Sequence, residues 1–97
     1  MIRIKLMPDY HCYPLWEEDN NFDNIDPYSL PISKTLANDL MQWAKEYDIT
    51  LDIDDPLNSG FKNIESELYF KQKGEYLLER LKSELGSQYS INLKIVI

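Results

Sequence analysis

The chain has 97 residues, 43% of them hydrophobic and 28% charged, with three Gly and five Pro. Length and composition together describe a single globular domain, residues 1–97, and exclude a disordered chain, a fibrous chain or a two-core protein. Seventeen acids against ten bases leave a net charge of −7, which disfavours nonspecific adhesion to nucleic acid or anionic lipid and makes a basic partner the natural complement.

Residues 1–7 alternate, with Ile2, Ile4 and Leu6 on one side and Arg3, Lys5 and Met7 on the other, the period of a half-buried strand. The stretch from Pro8 to Pro31 holds Pro8, Pro14, Pro27 and Pro31 and reads as an ordered but irregular loop pinned by Tyr10, Tyr13, Leu15, Trp16 and Phe22. Ser33 is an N-cap residue ahead of Leu36, Leu40, Trp43, Ala44 and Tyr47, which draw one apolar stripe on a helix. Ile49, Leu51 and Ile53 alternate with Thr50, Asp52 and Asp54, predicting a short strand stopped by Asp55-Pro56. Asn63 caps a second helix through Phe70, Leu77, Leu78, Leu81 and Leu85, and Gly86 suits its left-handed C′ position. Gly74 inside that helix costs about 1 kcal/mol against Ala, which points to a close approach by another backbone or to a kink. Ile91, Leu93, Ile95 and Ile97 complete a terminal strand sharing a sheet with the first. The expected architecture is α/β, a small sheet of about three strands in the order β-α-β-α-β, with two helices on one face.

The charge is local. Residues 8–55 contain twelve acids and only Lys34 and Lys45, a net −10, whereas both flanks are positive. Repulsion between unit charges about 4 Å apart is roughly 1 kcal/mol in water, so such a concentration is either a solvated face kept for solubility or a surface waiting for a cationic partner. Trp16 beside Glu17-Glu18-Asp19, with Tyr10, Tyr13 and Phe22 nearby, favours the second reading, because interfaces combine aromatic anchors with a charged rim.

Chemistry-bearing motifs are sparse. Asp52-Ile53-Asp54-Asp55 has the start of a calcium loop, but Leu57 and Asn63 stand where such a loop needs Gly and Glu, so strand-end carboxylates and a turn before Pro56 are the simpler account. His11 and Cys12 are adjacent, so on extended chain they point to opposite faces, a poor basis for a nucleophile–base pair. One Cys and one His exclude a disulfide and a structural zinc site within one chain. Leu57-Asn58-Ser59-Gly60-Phe61 is a turn signal far short of a phosphate-cradling loop, and the mixed charges between Glu65 and Glu84 read as a solvated helix face. The N-terminal apolar run is too short and interrupted for a leader peptide, and nothing approaches the ~20 residues of a spanning helix, so a reduced, soluble, cytoplasmic protein is expected. No catalytic, metal or cofactor-binding residue is assigned.

The runs Ile4-Lys5-Leu6-Met7-Pro8-Asp9-Tyr10-His11-Cys12-Tyr13-Pro14-Leu15-Trp16, Asn24-Ile25-Asp26-Pro27, Leu30-Pro31-Ile32-Ser33, Trp43-Ala44-Lys45-Glu46-Tyr47-Asp48 and Ser59-Gly60-Phe61 cover most of the chain. They resemble a family of small bacterial proteins of the immunity type encoded beside polymorphic toxins, including those of contact-dependent growth inhibition. The resemblance implies tight, non-covalent binding to a toxin domain, commonly a nuclease with a basic substrate groove, and carries over no residue roles.

The resulting expectation is a non-enzymatic, cofactor-free inhibitor of a cognate toxin with a basic surface, a monomer or weak dimer when free. Its contact surface is expected to use Tyr10 and Trp16 as anchors and Glu17, Glu18, Asp19, Asp23, Asp52, Asp54 and Asp55 as complementary charges. The alternatives are a small metal-dependent hydrolase around Asp52, Asp54 and His11, and a homodimer paired through its sheet edges.

Overall fold

The computed structural model describes residues 2–19, 23–50, 61 and 63–95. Among them, four strands form one mixed sheet: β1 (Ile2–Leu6), β2 (Leu15–Glu17), β3 (Asn24–Ile25) and β4 (Tyr89–Leu93), in the spatial order β3-β2-β1-β4. β1 runs antiparallel to β2 and parallel to β4, so the first and last strands lie side by side in one sheet, as the terminal alternation predicts. Directly opposed residues project to the same face of a sheet. Ile25, Leu15, Leu6 and Leu93 therefore form one row across all four strands, with Ile4 opposite Ile91 in the next. The other face carries the row Asn24, Trp16, Lys5 and Asn92.

Two helices cover the apolar face. α1 (Lys34–Asp48) begins where Ser33 Oγ accepts from the Leu36 N–H, and α2 (Ile64–Leu85) where Asn63 Oδ1 accepts from the Ser66 N–H. α2 ends at Gly86, whose φ of +78° disfavours a residue with a Cβ and whose N–H closes the last turn onto the Lys82 carbonyl. The helices run antiparallel, since Asp39 and Glu46 of α1 pair with Arg80 and Lys73 of α2. Glu84, near the end of α2, accepts from both the backbone N–H and the Oγ of Ser33, tying that end to the start of α1. Leu36, Leu40 and Trp43 from α1 meet Phe70, Leu77 and Leu81 from α2 over Ile4, Leu6, Leu15 and Ile91. Each such side chain contributes roughly 1.5–3 kcal/mol when fully buried.

The fold is richer in strands than expected, and their order differs. The 8–31 stretch, expected to be irregular, supplies β2 and β3 before a 3-10 turn over Pro27–Ser29. These strands are held by pairing rather than by any repeat of their own: the Met7 N–H donates to the Pro14 carbonyl, and the Glu17 N–H to that of Asp23. The strand expected from Ile49 does not begin there. Ile49 caps α1 in helical conformation (φ −63°, ψ −23°) and is 78% exposed, with its N–H still bonded to the Lys45 carbonyl. The remainder of that expected strand lies outside the described residues. The final strand starts at Tyr89, two residues earlier than its alternation suggests.

Gly74 is explained neither by another backbone nor by a kink, but by side chains packed against it. α2 passes through it unbroken, and a Cβ there would stand 2.9 Å from Cζ2 of Trp43 and 3.3 Å from Cδ1 of Ile95. The Trp43 ring has nowhere to retreat: it is fully buried, stacked on Phe70 at 4.5 Å, and its Nε1–H donates to the Phe70 carbonyl at 3.0 Å. Gly74→Ala gains about 1 kcal/mol of helix propensity but overpacks the core by about 1–3 kcal/mol. Urea denaturation should therefore show a net loss of up to about 2 kcal/mol; a Gly74→Ala variant more stable than wild type would show that the ring can yield.

Candidate functional site

The sequence-expected contact residues fall at two places along the sheet. Glu17 and Glu18 lie at the end of β2 beside the start of β1, where Glu17 is half-buried opposite Ile4 and the Glu18 N–H donates to the Arg3 carbonyl. The Glu18 carboxylate lies 3.4 Å from the Asn92 amide. Asp19 pairs with Arg3 at 2.6 Å, and that hydrogen bond holds the carboxyl below the usual range while raising the guanidinium. Asp23 is exposed and returns to Glu17 through its backbone carbonyl. Together these residues make an acidic turn between β2 and β3.

Tyr10 belongs to the other end of β1. Its ring stacks on Tyr47 at 4.6 Å and its hydroxyl lies 3.2 Å from the Thr50 Oγ1, so much of the side chain is used inside the fold. Trp16 is half-buried on the open sheet face opposite Lys5, and its Nε1–H donates to the Met7 carbonyl at 3.1 Å. Asp52, Asp54 and Asp55 lie outside the described residues. Among the other described carboxylates, Asp39 and Glu46 are paired with Arg80 and Lys73 across the helix layer.

A concavity lies elsewhere. A groove of about 710 Å³ runs between one face of α1, with Asn38, Gln42, Lys45 and Asp48, and a wall carrying Tyr13 and Tyr28. The wall is fixed by Asn24: its Oδ1 accepts from the Tyr13 N–H at 2.8 Å while its amide donates to the Tyr13 and Leu15 carbonyls. Asp26 caps the 3-10 turn that presents Tyr28, and the Tyr28 hydroxyl donates to Asn38 Oδ1 across the groove. At one end the Asp48 carboxylate accepts from the His11 N–H at 2.9 Å, holding His11 at φ +59°, a left-handed conformation that histidine enters more readily than bulkier residues.

Nucleophilic chemistry finds little support there. Burial pushes the Cys12 thiol up, and the nearby carboxylates of Asp9 and Asp48 add to the effect, so the sulfur is protonated at neutral pH rather than activated. Among the described residues no group of three or more His, Cys, Asp or Glu side chains could hold a metal ion, and no helix is long and apolar enough to cross a membrane. What the groove offers is a recognition surface of aromatic walls and side-chain amides. No motif marks it in the sequence; the only cue is Tyr13 and Tyr28 in the proline-rich stretch, and their meeting with Asn38 and Gln42 depends on the tertiary fold.

No curated protein matches the chain. A family model described as Serratia CdiI immunity protein-like matches residues 2–94, nearly the whole length, and the chain belongs to that family of immunity proteins of contact-dependent growth inhibition.

Proposed function

We propose that this protein is the immunity half of a toxin–immunity pair: it binds a cognate toxin domain of nuclease type, non-covalently and one to one, in the cytoplasm of the cell it protects. The observation that carries the reading is the family match over residues 2–94; the net charge of −7 supports the nature of the partner. A nuclease must hold phosphates with basic side chains. An acidic protein is attracted to that groove from a distance, and the resulting steering raises association rates by about 10–10³-fold. That matters against a toxin that acts catalytically. The β2–β3 turn, with Glu17, Glu18, Asp19 and Asp23 beside Trp16, supplies such charges on the described surface, and Asp52, Asp54 and Asp55 extend the acidic set in sequence. The mechanism needs no cofactor or metal.

The test is calorimetry of the purified protein with the toxin domain encoded in the adjacent reading frame, titrated over salt concentration. A one-to-one complex whose affinity falls as salt rises is the expected result. No binding at any ionic strength would remove the proposal.

A further inference from the structure

The aromatic residues that sequence reasoning nominates as anchors are largely used within the fold, whereas two others present more exposed rings beside a cleft. Tyr10 is stacked on Tyr47, and Trp16 is half-buried with its N–H bonded to Met7. Tyr13 and Tyr28, by contrast, are 37% and 52% exposed and face the groove over α1. The volume of that groove, about 710 Å³, lies in the ~300–1,000 Å³ range of ligand clefts. Its polar lining is unfinished: among the described residues Gln42 makes no side-chain hydrogen bond, Lys45 has no ion pair, and Asn38 uses its Oδ1 but not its amide N–H groups.

The signs and types of these groups identify the occupant. Lys45 and Asp48 put one charge of each sign in the groove, which suits neither a polyanion nor a strongly basic segment. Free amides with both donors and acceptors match peptide groups. Tyrosine walls with adaptable Asn and Gln side chains also resemble the composition of paratopes, where rigid aromatic rings supply area at low entropic cost. We infer that the Tyr13–Tyr28 groove seats an extended, net-neutral segment of the toxin domain. It carries most of the affinity, while the acidic β2–β3 turn supplies rate. This rests on the toxin-binding reading above and assigns that reading an anchor site.

The experiment compares wild type, Tyr13→Ala, Tyr28→Ala and Gln42→Ala for binding to the purified toxin domain at low and high salt. Each tyrosine variant should weaken binding by at least about 10-fold, mainly through faster dissociation, with the salt dependence unchanged. Gln42→Ala should give a smaller loss in the same direction. Hydrogen exchange on the unmodified protein gives a readout independent of any folding defect: toxin should protect the backbone of residues 13–15 and 26–29. Wild-type binding with unweakened tyrosine variants and no protection there overturns the groove assignment alone. Failure of wild type to bind overturns the assignment together with the function it rests on.

Discussion

Replacing Trp43 with Ala is expected to destabilise the fold by about 3–5 kcal/mol, a large share of the roughly 5–15 kcal/mol that holds a domain of this size together. The effect is large because three roles meet in one side chain. The indole is fully buried between the helices, stacks on Phe70 with only 7° between the ring planes, and donates from Nε1 to the Phe70 carbonyl. Truncation opens a cavity bounded on one side by Gly74, which has no side chain to fill it. Thermal melts should fall by on the order of 15–30 °C. The same geometry predicts a reversal of sign. In the Trp43→Ala background the atom that a Cβ at position 74 would meet at 2.9 Å is gone, so Gly74→Ala should then stabilise by up to about 1 kcal/mol through helix propensity. Denaturant titrations of the four proteins in this double-mutant cycle would detect the coupling. Additive effects, with Gly74→Ala equally harmful in both backgrounds, would show that Trp43 is not the reason for the glycine.

Signals that act over one turn of chain are legible in the sequence. Ser33, Asn63 and Gly86 mark helix ends because each acts on backbone groups within four residues of itself. The terminal strands are readable because alternation with β-branched residues persists long enough to define a face. β2 and β3, three and two residues long, are too short to show a period. Their place is set by partners distant in sequence, Leu15 against Leu6 and Ile25 against Leu15. At Ile49 two local patterns compete, the alternation running forward and the helix arriving from behind, and the hydrogen bond to Lys45 shows that the helix prevails at that residue. The candidate site is less legible than the fold. Counting Tyr and Trp near acids cannot reveal that Tyr10 will be covered by Tyr47 while Tyr28 stays exposed across from Asn38. Nor can segment totals show that Asp19, Asp39 and Glu46 have basic partners in Arg3, Arg80 and Lys73.

Neutralising the β2–β3 turn with Glu17→Gln, Glu18→Gln, Asp19→Asn and Asp23→Asn is expected to slow association with the toxin domain by about 10-fold or more at low salt. The variant removes four of the seven net negative charges. Ion pairing of Asp19 with Arg3 does not exempt it, because a distant partner responds to the net charge of the pair, which loss of the carboxylate changes by one unit. Dissociation should change little, since charges at the rim of an interface mainly set encounter rates. At 1 M salt, where the screening length is about 3 Å against about 10 Å at 0.1 M, the two association rates should converge. Position as well as number of charges is at issue, so the informative comparison is Asp39→Asn with Glu46→Gln, which removes carboxylates paired across the helix layer. If the turn faces the approaching toxin, stopped-flow rates should fall more per charge for the turn variant than for the helix variant. Equal slowing per charge would mean that the toxin responds to the total charge alone. Unaltered rates in both variants, at every salt concentration, would leave the acidity of this protein without a part in recognition.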